Sequence, residues 1–399
     1  MKPYDIVIVG GGISGLSLAH YASKAGLKTL VLEKAGATGG CLRTTRLHTG
    51  FWLELGAHTC YNSYANLIGI LEDCGLKAGL QDKRRLPFRM LVDGTVGSIP
   101  SLLNFFELLC SVPRLFTLKK AGETVQSYYS TIAGKKNFRR VIGPALSAVV
   151  SQKADGFPAE MLFKRRPRRK DIMKKFTLKR GLQTLAEAIG AGHDPAGKGI
   201  EVVLGADAKN VKREGSLFKV EVEGKGEFHA DNIGIAAPPP SASALLKESF
   251  PLLSEKLSSI KTVPVESIAV VVRKEAVGLP LFAGLIPVED IFYSVVSRDI
   301  LEDRTYRGFS FHFRPGQGRE RKLKRIAEVL GTDKFEDISE NTAVLPSPAL
   351  GHEKVVSDID RLIEGERVFV TGNYFAGLAI EDCVTRSLNE FKRLKGGMI

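Results

Sequence analysis

The sequence predicts an α/β chain: a parallel sheet assembled from separated stretches, an antiparallel-sheet second domain, and a helical insertion. Two observations predict this. A strand, glycine turn, helix and second strand open the chain, and a strand, glycine-rich turn and helix close it. Elements of other kinds lie between them. A doubly wound half is usually completed contiguously, so this one is expected to be discontinuous. The expected division is 1–80 with 181–240 and 365–399 in the parallel-sheet domain, 81–100 with 241–364 in the antiparallel domain, and 101–180 in the insertion.

The opening stretch is "DIVIVGGGISGLSLAHYASKAGLKTLVLEK", residues 5 to 34. Ile6 to Val9 form a continuous apolar run, the signature of a strand buried on both faces. Gly10, Gly12 and Gly15 then give G-x-G-x-x-G spacing, for a tight turn, a close backbone approach to a pyrophosphate, and helix packing on strand. A helix from Ile13 to Ala25 would aim its free N–H groups at that pyrophosphate. Thr29 to Leu32 is the second strand, and Glu33 closes it where a carboxylate accepts from a ribose 2′-hydroxyl. The unit therefore predicts a Rossmann-like dinucleotide site, with the acid at 33 disfavouring a 2′-phosphate.

Farther on, Gly39 and Gly40 offer a second backbone surface, and "GFWLELGAHT" brings Gly56, Ala57 and His58 out of a short strand. Residues 64 to 75 read as a helix, and residues 100 to 190 are mainly helical. Residues 201 to 237 switch to short strands that stop at Pro238-Pro239-Pro240, and alternation resumes in "SIAVVVRKEAV", "DIFYSVVSR" and "GFSFHFR". Alternation sets His312 on the face opposite Phe311 and Phe313. Tyr293, Arg298, His312 and Arg314 are candidates for the floor of a substrate cavity, or form a polar strand face in water.

The 399 residues carry 57 Lys+Arg against 44 Asp+Glu, a formal charge of +13, which favours an anionic partner. The cysteines at 41, 60, 74, 110 and 383 are scattered without a C-x-x-C, so no disulfide framework or zinc site is expected, and a reducing cytoplasm fits. The histidines make no i, i+4 pair, so metal ligation has no support. The first strand begins too early for a signal peptide, and no uninterrupted apolar run reaches the about 18 residues that a bilayer span needs.

The glycine turn, Glu33, Gly39-Gly40, "GFWLELGAHT" and "VFVTGNYFAGLAIEDCVTRS" together resemble the FAD-dependent amine oxidase and phytoene desaturase superfamily. Within it, "ETVQSYYSTIAGKKNFRRVIGPALSAVVSQKADGFPAEMLF" and "FTLKRGLQTLAEAI" are similar to the protoporphyrinogen oxidase branch. The resemblance implies an FAD-dependent oxidoreductase that dehydrogenates a porphyrinogen, with O2 or a quinone as electron acceptor. It places Gly10, Gly12, Ile13, Ser14 and Gly15 at the pyrophosphate, and Glu33 with Lys34 at the adenosine ribose. Gly39, Gly40, Leu42 and Arg43 would line the diphosphate and flavin, with Gly56, Ala57 and His58 near the ring edge and Ala208 at the adenine. Gly372 and Asn373 would follow the last strand, and Ala379, Ile380 and Glu381 would open a helix aimed at the flavin. The chain departs from the family where Ala37 and Cys41 replace basic residues. An amine oxidase, an isoprenoid desaturase and a flavin-binding protein without turnover are the alternatives. No catalytic base is assigned.

Two further stretches bear on partners. "FKRRPRRKDIMKKFTLKR" is strongly basic and expected on an exposed loop and helix. "SLLNFFELLCSVPRLFTLKK" is nearly continuous in apolar residues, too short to span a bilayer but long enough to lie in its interface. Together they read either as a peripheral contact with an anionic membrane, at its inner face, or as a core helix beside solvated charges. Nucleic acid is not favoured, since only Phe176 interrupts the basic run and no binding motif is present.

Overall fold

A computed structural model describes residues 3–192 and 199–397. Its first strand, Tyr4–Val9, lies inside a seven-stranded sheet. Thr29–Glu33 and then Ile200–Leu204 follow on one side, all parallel. On the other side Gly226–Ile235 pairs in parallel with the first strand, and Val368–Val370 pairs in parallel with its far end. Leu217–Val222 and Ala208–Glu214 extend this edge as an antiparallel meander. The apolar run has the two-sided burial its composition calls for. Ile6 and Ile8 pack with Leu18, Ala22 and Leu394, and Val7 and Val9 pack with Phe218, Ile233 and Leu246. The helices Ile13–Lys24 and Ile380–Gly396 thus share one face, although they come from opposite ends of the chain.

The second seven-stranded sheet runs in the order Asp337–Pro346, Thr262–Arg273, Tyr306–Phe313, Phe292–Ser297, Gly284–Pro287, Phe88–Val92, Thr95–Ser98. Its pairs are antiparallel except for Gly284–Pro287 with Phe88–Val92, which alternation alone does not distinguish. Phe309, Phe311 and Phe313 point into a core with Ile326 and Leu330 of the helix Arg319–Leu330. The opposite face looks toward the first sheet's glycine loops. There Leu53 and Phe51 lie against Gly308, and Ser310 Oγ donates to the Glu54 carbonyl.

The insertion contains helices Val125–Ala133 and Gly143–Val150, with a wider π turn, Phe138–Ile142, between them. Pro144 has no N–H to return to the Arg140 carbonyl, so a regular α-turn cannot form there. The apolar stretch before it is not one helix. It forms Phe105–Ser111 and a 3-10 turn, Val112–Phe116.

The basic run departs most from expectation. Lys175–Leu178 is a strand between Cys60–Tyr61 and Leu80–Asp82, with Phe176, Thr177 and Leu178 buried. Upstream of it, Arg166 pairs with buried Asp382 at 2.6 Å, and Arg169 binds Glu72 and Asp171. These cations fasten the insertion to the parallel-sheet domain, while Arg165, Arg168 and Lys170 remain exposed.

Candidate functional site: two glycine loops and a facing cavity

The glycines of the first turn have different reasons to be glycine. Gly10 has φ +111°, and a Cβ there would lie 2.8 Å from the Ala236 carbonyl oxygen. A Cβ on Gly15 would lie 1.9 Å from the Gly10 carbonyl oxygen, so close helix–strand packing forbids one. Gly12 has an ordinary backbone, φ −76°, and a Cβ there would meet only the Gly40 Cα, at 3.8 Å. Protein packing does not require a glycine at 12, so the space it leaves fits a ligand. The helix behind it has no side-chain cap and no acid in its first turn, so its N–H groups face that space uncompensated. This arrangement fits the pyrophosphate of FAD.

Glu33 ties the turn to its strand. Its Oε2 accepts from the Gly11 N–H at 2.6 Å and its Oε1 from the Ala35 N–H at 2.8 Å. Each oxygen keeps a second lone pair for a ribose hydroxyl. Lys34 is exposed beside it, and Ala208 opens the strand next to Ala206, whose N–H donates to the Glu33 carbonyl. The second loop lies directly on the first. The Gly39 N–H donates to the Gly11 carbonyl at 2.8 Å, and a Cβ on Gly40 would stand 3.0 Å from the Gly12 Cα. Leu42 is buried and Arg43 partly so, its carbonyl accepting from the Leu55 N–H. Ser14 is buried, and its carbonyl accepts from Ser387. Ile13 packs toward Leu182 and Ile380.

His58 folds back over Gly56, and its Nε2–H donates to the Cys41 carbonyl at 2.8 Å. Burial lowers its pKa, so it is a neutral clasp between two loops. The Cys41 thiol is likewise pushed up by burial. Lys83 donates to the His58 carbonyl and to Thr59 Oγ1, and burial depresses its pKa.

The second loop is held from a distance by residues that carry no sequence signature. Glu54 accepts from the Leu182 N–H at 2.7 Å and from Thr44 Oγ1 at 3.0 Å. Gln183 accepts from the Thr44 N–H and donates to the Thr38 carbonyl. Burial pushes the Glu54 carboxyl up to about 7 despite these bonds. At the C-terminal end, Gly372 is crowded by Tyr374, and Asn373 is half-buried. Ala379 and Ile380 open the last helix, as expected. The Glu381 carboxylate accepts from the N–H groups of Asn66 and Leu67, capping the helix Ala65–Asp73.

The substrate candidates divide. Arg314 stacks on Tyr293 at 4.9 Å, and both line a cavity of about 600 Å³ between the second sheet and the insertion. Lys135, Arg139, Lys153, Asp155 and Glu289 supply its other charges. His312 lies on the strand Tyr306–Phe313, two residues before Arg314, and it is 1% exposed rather than in water. Arg298 is elsewhere. It stacks on Trp52 at 4.5 Å, donates to the Leu301 carbonyl, and is pulled down to about 10 by burial. No group of three or more metal-binding side chains occurs among the described residues.

Residues 8–74 match the NAD(P)-binding Rossmann-like domain family. The chain is 37% identical to the 15-cis-phytoene desaturase of Arabidopsis thaliana over 82 residues, which is 21% of this chain and 14% of that protein. The matched stretch thus spans about one seventh of that relative. Across the whole chain the similarity is structural. A protein from Exiguobacterium sp. 255-15, provisionally named a protoporphyrinogen oxidase, superposes with a TM-score of 0.79 over 97% of both chains at 18% identity. Cyclohexylamine oxidase from Brevibacterium oxydans superposes with a TM-score of 0.72 over 100% of both at 14% identity.

Proposed function

Because the chain has the fold of the FAD-dependent amine oxidase and desaturase superfamily, we propose that it is an FAD-dependent oxidoreductase acting on a porphyrinogen. FAD, when bound, supplies a hydride acceptor, and O2 or a quinone then takes the electrons. Gly12, the uncapped helix behind it, Glu33 and the Gly39-Gly40 loop hold the cofactor. The observation that carries the substrate class is the cavity lined by Arg314, Lys135 and Arg139. An amine would call for an acid-lined pocket and an isoprenoid for a long apolar tunnel, whereas a tetrapyrrole with several carboxylates needs a wide, cationic one. Arg314 and Arg139 offer planar guanidinium donors suited to carboxylates. Arg298 is not part of this clamp.

The test is anaerobic reduction of the bound flavin by protoporphyrinogen, coproporphyrinogen, their methyl esters and a panel of amines. The free acids should reduce it and the esters much more slowly. Equal rates for ester and acid, or reduction by an amine alone, would overturn the porphyrinogen assignment.

We also propose that the insertion rests on an anionic membrane surface in the cytoplasm. Phe105, Phe106, Leu109 and Phe116 are 62, 78, 73 and 84% exposed, a patch a soluble surface rarely carries. Exposed Arg114 and Lys119 border it, and Lys120 reaches the Leu162 carbonyl, which brings Phe163 and Arg165 alongside. No helix among the described residues is long and apolar enough to cross a membrane, so the contact would be interfacial.

A further inference from the structure

One row of the second sheet holds polar atoms with nothing to bond. Ser267, His312 and Ser294 are register neighbours on three adjacent strands. All three are buried, at 5, 1 and 4% exposure. Ser267 Oγ and His312 Nδ1 share a hydrogen bond of 2.9 Å, which fixes the imidazole. His312 Nε2 and Ser294 Oγ are both buried without a partner among the described residues. Buried polar atoms are nearly always satisfied, so two orphans in one row call for a partner that the described residues do not supply.

Their place on the strand says where that partner comes from. Ser310, two residues before His312, reaches the Glu54 carbonyl beside the glycine loops. Arg314, two residues after it, lines the cavity. His312 lies between the two, and burial, with His58 acting in the same direction, holds its pKa down to about 4. The imidazole is therefore neutral at working pH and serves as a hydrogen-bonding group.

We propose that His312 Nε2 and the Ser294 hydroxyl form a neutral polar ledge that hydrogen-bonds the reacting end of the substrate. This deepens the porphyrinogen reading and rests on the same site. The ledge selects substrates that carry N–H, O–H or C=O groups at that end, such as pyrrole nitrogens. It selects against a hydrocarbon chain, which would leave both buried atoms without a partner. His312 thereby sets specificity through contact with substrate.

The experiment uses FAD-loaded protein with 15N-labelled histidine and follows the Nε2 resonance of His312, assigned through His312→Gln. Three probes are added in turn: coproporphyrin III, benzylamine and squalene. Saturation with a polar probe should shift Nε2. His312→Phe combined with Ser294→Ala should weaken binding of that probe about tenfold, while FAD content and Tm stay near wild type. His312→Gln keeps a hydrogen-bonding end and should recover part of the affinity. Failure of coproporphyrin III to bind, with a shift produced by benzylamine, would remove the porphyrinogen reading and keep the ledge. An Nε2 resonance unmoved by every probe, unchanged affinity in the double variant, or tighter binding of squalene than of either polar probe would overturn the ledge itself.

Discussion

In the cradle, backbone makes the shape. Gly10, Gly15 and Gly39 are glycine because a carbonyl oxygen occupies the place of the missing Cβ, and Gly12 is glycine because space is left there. On the facing sheet, side chains make the shape. His312 is placed by strand register, Tyr293 by the register shift beside it and Arg314 by the end of the strand. The cavity's other walls come from the insertion and from residues far along the chain. Backbone sterics act over a few residues and are written into a short motif. A cavity wall is a tertiary product and leaves no local trace.

The sharpest way to break this comparison is to place a methyl group at each of two glycines. Gly15→Ala should cost about 3 kcal/mol or more, because its Cβ meets backbone that cannot yield. Gly12→Ala should cost less than about 1 kcal/mol in the cofactor-free protein, as at any helix N-cap, and yet lose FAD. Thermal denaturation without cofactor and flavin content after purification separate the two. Equal destabilisation by both would mean that Gly12 is also packed against protein.

Glu54→Gln probes the side-chain network that holds the second loop. A carboxyl that titrates near 7 when folded and near 4.5 when unfolded favours the folded state most below about pH 4.5. That contribution is lost as pH rises through 7, and linkage bounds it at about 3 kcal/mol. The stability difference between wild type and Glu54→Gln should therefore shift in favour of the variant between pH 5 and pH 8. A constant difference over that range would show that the carboxyl titrates normally.

On the cavity side the effects are expected in function and not in stability. Arg139→Ala and Arg314→Ala should each raise KM for a free-acid porphyrinogen about tenfold, the value of one charge-assisted contact. Neither should alter KM for the ester. The smallest stability effect belongs to the insertion. Phe106→Ser with Phe116→Ser should change stability by less than about 0.5 kcal/mol, because both rings are in water. Co-sedimentation with anionic vesicles should fall sharply. Unchanged co-sedimentation would return the patch to ordinary surface.

The same contrast explains what could be read in advance. The glycine turn, both opening strands, Glu33 and the alternation that sets His312 opposite Phe311 were all legible, since each depends on spacing within about two dozen residues. Glu54, Gln183 and Lys83 were not. Their partners Leu182, Thr44 and His58 include contacts 128 and 139 residues away, and no local pattern marks a buried carboxylate as a clasp. The basic run misled for a related reason. Charge suggests solvent, but Arg166 and Arg169 have acids waiting at Asp382 and Glu72. Arg298 reads from the sequence as a candidate for the cavity floor, whereas its guanidinium stacks on Trp52.

The helix cap supplied by Glu381 reaches back more than 300 residues, and Val368–Val370 is the last strand to join the parallel sheet. During synthesis the N-terminal strands leave the ribosome first, with Ile233 and Ile235 unshielded on one edge until residue 370 follows. At 5–20 residues per second, roughly 7 to 27 seconds separate residue 235 from residue 370. For that interval the nascent sheet offers an open, apolar edge. The dependence of this fold on its own last turn of chain is thus also a dependence on whatever guards nascent chains in the cell.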